Sequence, residues 1–218
     1  MQMPRFLFSL NEQKGLRSSF VGRVSGVEVG LDKDEVLARL HPAHEKAVQD
    51  LGFSWSQLHL AEQIHGSNIA VVGKHDPAQT WKDVDGLITS DIGVMLGIYV
   101  ADCGAVYIYD PVCRVIALLH SGKKGTEGNI TGKAIKMMQD NYGSSPADMV
   151  VELSPCVRPP IYEVDFASEI RQQALAAGVP EKQYSDAGIC TASNTETYYS
   201  YRMEKGKTGR MLALLGMV

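Results

Sequence analysis

The sequence predicts an α/β protein with mixed α and β layers: a single domain, residues 1–218, whose mixed β-sheets are flanked by helices. Three observations predict it. Short apolar runs rich in Val, Ile and Tyr recur at 94–100, 105–110 and 115–120 and read as buried strands. Two capped segments, 130–142 behind Asn129 and 166–177 behind Asp165, are each stopped by a glycine and read as helices. Strands lie both next to one another and on either side of helices, which calls for a mixed sheet.

The remaining elements follow the same signals. Residues 1–30 alternate weakly between polar and apolar, with several glycines, as short edge strands do. Residues 32–50 read as helix with Val36, Leu37 and Leu40 on one side. Pro42 is expected to divide it, and Gly52 ends it. Residues 59–65 and 69–72 read as strands around a turn at His65-Gly66, and 149–153 as another strand. The tail is strand-like at 198–201 and 209–216.

Composition narrows the function. Hydrophobic residues make up 44% and charged residues 21%, the balance of a globular domain with a large core. The net charge is -4 and the Lys and Arg residues are scattered, which argues against a general nucleic-acid binder. The longest uncharged apolar run, 94–101, is too short to span a bilayer, so no membrane association is expected. Residues 1–8 lack a signal h-region and cleavage site, so a cytoplasmic location is expected. Cys103, Cys113, Cys156 and Cys190 form no CxxC pair and are expected as free thiols or ligands.

Three residues carry the chemical signal. His65, Cys103 and His120 each sit in a polar-plus-glycine context beside an apolar run: Gln63-Ile64-His65-Gly66, Ala101-Asp102-Cys103-Gly104 and Leu119-His120-Ser121-Gly122. Two imidazoles and a thiolate suit zinc, and three protein ligands leave a fourth position open, as in catalytic sites. Asp110-Pro111-Val112-Cys113 reads as a type I turn joining two antiparallel strands. In that register Cys103 faces His120, with Cβ atoms roughly 4.5–5.5 Å apart on one face. A slip by one residue would separate the two side chains onto opposite faces. A buried Cys acting as a small hydrophobe and a satisfied core His are the competing readings. His41, His44 and His75 are expected at the surface.

Residues 121–128, with three glycines and two lysines before a helix, read as an anion-binding loop or as a solvated glycine-rich loop. The rigid segment 154–160 leads to Glu163, either an acid or base of the site or, with Asp165, a cap of the next helix. Arg202 and Arg210 either hold substrate or form surface ion pairs.

Together these segments resemble one family. Gln63-Ile64-His65-Gly66, Asp85-Gly86-Leu87-Ile88-Thr89, Ala101-Asp102-Cys103, Leu119-His120-Ser121-Gly122, Ser154-Pro155-Cys156 with Tyr162-Glu163-Val164, and Cys190-Thr191 with Tyr199-Ser200-Tyr201-Arg202 and Thr208-Gly209-Arg210 occur in the order of the YfiH-type laccase-domain family, also labelled polyphenol oxidase-like. The resemblance runs from about Leu58 to the C-terminus, and residues 1–57 depart from the family pattern. It implies zinc held by His65, Cys103 and His120. It also implies a purine nucleoside phosphorylase with adenosine deaminase as a companion activity, and a purine nucleoside and phosphate as partners. Cys103, His120, Asp102 and Glu163 then stand as catalytic candidates, and Gln63, Lys124, Arg202 and Arg210 as substrate- or phosphate-binding candidates. Lys123 and Lys124 occupy the positions of the family's Trp and Arg, which removes an apolar surface and a bidentate fork. Copper is the second candidate metal by ligand type, although six histidines are too few for a multicopper centre. Two alternatives remain. One is a metal-free cysteine hydrolase with Cys103 as nucleophile, His120 as base and Asp102 as orienter. The other is a non-catalytic nucleoside-binding relative.

Overall fold

Residues 5–218 are described by a computed structural model of the chain, and the alternation read over residues 1–30 begins on residues 1–4, outside the described residues. In chain order the elements are α1 (Phe8–Asn11), β1 (Leu16–Val21), α2 (Lys33–Asp50), β2 (Leu58–Ala61), β3 (Ile69–Val71), β4 (Thr80–Trp81), β5 (Gly86–Thr89) and β6 (Met95–Val100). They continue with β7 (Gly104–Asp110), β8 (Val115–Ser121), α3 (Lys123–Glu127), α4 (Ile130–Tyr142), β9 (Val150–Leu153), α5 (Phe166–Ala176), β10 (Tyr184–Asp186) and β11 (Met211–Met217).

The strands form two mixed sheets, one ordered β1-β11-β6-β2-β4 and the other β10-β9-β7-β8-β5-β3. Alternation along β7 and β8 sorts their side chains between two cores. Ala105, Tyr107, Tyr109, Ile116 and Leu118 face a core shared with Leu96, Ile98, Met211 and Ala213 of the first sheet. Val106, Ile108, Ala117 and Leu119 face a second core with Ile130, Ala134, Phe166 and Ile170 of α4 and α5. A third, smaller core joins Ala47 and Val48 of α2 to Met95, Leu212 and Leu214 on the far side of the first sheet. The order is therefore helix, sheet, sheet, helices. With both faces covered, β7 and β8 are buried along their whole length, which explains their unbroken apolar sequence.

Several expectations are corrected. Pro42 does not divide α2, which runs unbroken from Lys33 to Asp50 behind an Asp32 cap accepting from Asp34 and Glu35 N–H. Both Pro42 and Ala38, whose carbonyl loses its helical partner, are on the exposed face, where water can take the vacant bond. His44 is buried, because it continues the Val36, Leu40 stripe at i+4 and packs its ring 5.5 Å from Tyr99. Burial lowers its pKa to about 4. Among the described residues 5–30 there is one strand, β1, at the sheet edge. The segment 198–201 is not a strand: its backbone is spent in loop bonds such as Tyr198 N–H to Asn194 O and Ser200 N–H to the Glu204 carboxylate. The 121–128 segment is not an open loop but contains α3. Helices α4 and α5 match expectation, capped by Asn129 on Gly132 N–H and Asp165 on Ser168 N–H. Among the described residues no helix is long and apolar enough to cross a membrane.

One core polar group carries a pH test. Glu152 pairs with Tyr107 across the β9–β7 ladder, is fully buried, and accepts a 3.2 Å bond from Leu10 N–H. Burial raises its pKa to about 7, partly opposed by the Leu10 N–H. The folded state then holds a proton that the unfolded chain releases near pH 4.5, so stability falls as pH rises from there to about 7. Glu152→Gln is expected to leave stability nearly unchanged near pH 4.5 and to raise it by about 1–3 kcal/mol at pH 8. Denaturant titrations at both pH values check this, and a gain of equal size at both would refute it.

Candidate metal centre

The β7–β8 register decides how Cys103 and His120 meet. Asp110 pairs with Val115, which closes a four-residue loop at 111–114, and Ala105 pairs with His120. The expected register is thus shifted by two residues, and Cys103 is diagonal to His120 rather than opposite. The reason is local. Asp110 Oδ1 accepts from both Val112 and Cys113 N–H, and Arg114 takes a positive φ of 54°, so the turn needs two more residues than a tight type I hairpin. A shift of two preserves the face, so both side chains still point into the end of the inter-sheet layer.

His65 arrives from the loop after β2. The Gln63 side chain imitates a strand: its Nε2–H donates to Tyr99 O, and its Oε1 accepts from Tyr99 N–H at 2.9 Å. Gln63 and His65 both take positive φ values, which turns the chain back on itself. The imidazoles of His65 and His120 stand 4.9 Å apart and nearly perpendicular. One ligand atom each from His65, Cys103 and His120 lies within 4.8 Å of the others, and among the described residues they are the only such group of three or more.

Asp85 was quoted in the sequence only as part of a motif, and it organises the trio. It directly precedes β5, opposite His120, because β5 pairs antiparallel with β8 through Gly86 and Leu119. Its Oδ1 accepts from His120 Nδ1–H at 2.8 Å and from His65 N–H at 2.9 Å, and its Oδ2 accepts from Gly66 N–H at 2.7 Å. Burial pushes its carboxyl up, but the bonds from His120, Gly66 and His65 outweigh this and hold it below the usual carboxylate range. With Nδ1 occupied, His120 has Nε2 left for a ligand. A signal was available in sequence: a carboxylate at a strand start, beside a strand that carries a ligand histidine.

The three groups polarise one another. Burial raises the Cys103 thiol, yet hydrogen bonds from His120 and His65 bring it down to about 6. Burial lowers His120, but bonds to Asp85 and Cys103 raise it to about 9. A thiolate and two imidazoles, one steered by a carboxylate, fit a borderline-soft divalent ion such as zinc. Gly122 makes room for the sulfur: a Cβ there would be 2.3 Å from Cys103 Sγ.

The trio opens into a cleft of about 820 Å³, within the range of small-molecule sites. Gln63, Lys124, Arg202 and Arg210 line it, as do Asp102, Lys123, Tyr162 and Phe166. Asp102 has both oxygens engaged outside the trio, accepting from Thr191 Oγ1–H and Arg202 N–H at 2.8 Å each. Glu163 is outside the lining, exposed, and paired with Arg202 at 3.2 Å. The Arg202 guanidinium also sits 5.1 Å over the Tyr162 ring.

A family model described as multi-copper polyphenol oxidoreductase laccase matches residues 13–173 and 164–218. The chain belongs to this family. It is similar to purine nucleoside phosphorylase YlmD of Geobacillus stearothermophilus, 29% identical over 242 residues, 94% of this chain and 86% of the relative. Purine nucleoside phosphorylase SCO2081 of Streptomyces coelicolor is 31% identical over 212 residues, 85% and 84% of the two chains. The crystal structure of YlmD from Geobacillus stearothermophilus superposes with a TM-score of 0.83 at 26% identity, covering 94% of this chain and 92% of that one. The YfiH structure from Bacillus licheniformis has the same fold, with a TM-score of 0.82 at 24% identity over 95% of each chain. The mixed α/β architecture is thus that of the laccase-domain family.

Two substitutions test the centre. Asp85→Asn keeps the shape but loses the charge that steers His120. Zinc affinity, read by chelator competition, is expected to fall about 10- to 100-fold; wild-type affinity in a folded variant would rule out the steering role. Gly122→Ala is expected to displace Cys103 Sγ and lower bound zinc in the purified protein. Full occupancy would show that the sulfur does not need that space.

Proposed function

We propose that the protein is a zinc-dependent purine nucleoside phosphorylase. The carrying observation is the convergence of His65, Cys103 and His120 at the floor of a cleft rimmed by cations. The names of the relatives support the reaction class. In phosphorolysis a phosphate oxygen bonds to C1′ of the ribose. The bond from C1′ to the purine nitrogen breaks, and the purine leaves with the electron pair and takes up a proton. Bound zinc supplies Lewis acidity and a fixed positive charge at the reacting centre.

The chain's own groups divide the remaining work. Lys124 and Arg202 hold the phosphate, with Arg202 braced by Glu163 and Tyr162, while Arg210 lines the part of the cleft that receives the nucleoside. Tyr162 and Phe166 provide apolar surface for the flat base and displace water. Asp85 orients His120, and Gln63 sets the loop that presents His65. Asp102 gathers the Arg202 loop over the cleft. Glu163 and Asp102 thereby act as positioning residues.

Deamination of adenosine, the companion activity implied by the family resemblance, finds less support. It needs a carboxylate to carry protons at the purine. Asp102 is the one carboxylate lining the cleft among the described residues, and both of its oxygens are engaged. A metal-free cysteine hydrolase would share Cys103 and His120, with Asp85 as orienter in place of Asp102. Two imidazoles around one sulfur favour metal ligation, since a thiol nucleophile needs one base.

Purified protein is expected to carry zinc rather than copper by elemental analysis, and to release hypoxanthine from inosine only when phosphate is present. Cys103→Ala is expected to lose the metal and to slow release by about 10²-fold or more, as befits loss of several kcal/mol of charge stabilisation. Phosphate-independent release, or equal activity in the folded variant, would overturn the assignment.

A further inference from the structure

Six cationic side chains line the cleft: Lys33, Lys123, Lys124, Arg202, Lys205 and Arg210. Arg202 has a carboxylate partner, Glu163. The other five have none within ion-pair distance among the described residues, where ion pairs elsewhere engage Arg23, Arg39, Lys46, Lys82, Lys136, Arg158 and Arg171. The chain as a whole carries a net charge of -4, so this clustering runs against its overall sign.

The unpaired cations reach the cleft from different layers of the fold. Lys123 and Lys124 open α3, directly after Gly122, the residue that abuts Cys103 Sγ. Lys33 opens α2 and Arg210 immediately precedes β11, so these two come from the other sheet and its covering helix. Arg210 spends Nη1 on its own neighbourhood, donating to Thr208 O and Gly209 O, and its remaining N–H groups have no partner among the described residues. Burial and then the Arg210 charge lower the Lys33 pKa, against the opposing pull of Asp34 and Glu62, so the Lys33 and Arg210 charges are near enough to repel.

A neutral nucleoside and one inorganic phosphate bring a single anion to these six cations. We propose that the cleft takes a nucleotide, a purine nucleoside whose ribose bears a phosphate monoester, with one cation group receiving that ester and the other the attacking phosphate. This rests on the phosphorylase reading and specifies its substrate class. In the balanced reaction inosine monophosphate and phosphate give hypoxanthine and ribose bisphosphate. The C1′–N bond breaks with its electrons going to the purine, which gains a proton, and a phosphate oxygen bonds to C1′.

The test compares inosine with inosine 5′-monophosphate on zinc-loaded, full-length protein, by kcat/KM for hypoxanthine release and by titration calorimetry. The nucleotide is expected to exceed inosine about tenfold or more in kcat/KM. Lys33→Ala is expected to collapse that ratio toward one, whereas Lys136→Ala, on the exposed face of α4, retains it. Cleavage of inosine with no nucleotide preference overturns the inference and leaves the phosphorylase reading standing. If neither compound is cleaved, the reaction class fails. In that case tighter, Lys33-dependent binding of the nucleotide still upholds the inference, and equal binding or binding indifferent to Lys33→Ala overturns it.

Discussion

One buried carboxylate holds the centre together. Asp85 bonds at once to the His120 ring and to the backbone N–H groups of His65 and Gly66. It thereby ties β8 to the loop carrying His65, a loop also seated by the Gln63 N–H bond to Val84 O and the Asp85 N–H bond to Asn68 O. A buried carboxylate without such bonds would be strongly disfavoured, and three donors make the ionised form the stable one. The dependence is mutual: the loop and ring satisfy Asp85, and Asp85 fixes their positions. Positive φ at Gln63 and His65 is tolerable because the Gln63 amide and the Asp85 carboxylate hold the turn from both ends.

The layered fold supplies the frame for this contact. Side chains at alternate positions of β7 and β8 fill the space between the sheets, and Cys103 and His120 end that row. The candidate metal trio therefore caps a packed core, with His120 buried, Cys103 half-buried and His65 exposed, and all three line the cleft. Asp102 and Cys103 are neighbours with divided roles. The thiol joins the trio, while the carboxylate reaches Thr191 and the backbone of Arg202. One short segment thus ties the candidate metal centre to the C-terminal loop that carries the arginines.

The charge pattern separates two scales. The protein is acidic overall, yet its cleft is cationic, and the cations come from α2, α3 and the C-terminal loop. Such a local concentration focuses attraction for anions without altering the net charge. Lys123 and Lys124 belong to this pattern: both line the cleft from the start of α3.

The sequence by itself determined the central strands, two of the helices and much of the chemistry. Apolar runs marked β6, β7 and β8, and caps with terminal glycines marked α4 and α5, because these signals are local. The ligand types were legible for the same reason: a thiol and two imidazoles beside glycines announce their chemistry wherever they fold. The stripe that buries His44 was also written in the i+4 spacing, but the polar character of histidine masked it. Only the tertiary structure decided the rest. The hairpin register depended on how Asp110 bonds the turn, a two-residue difference that leaves the same faces buried. Pro42 was tolerated because its side of α2 meets water. His65 joined Cys103 and His120 through Asp85, and the cation rim gathered from three distant segments. Those outcomes depend on groups remote in sequence satisfying one another in space, and spacing along the chain carries no record of that.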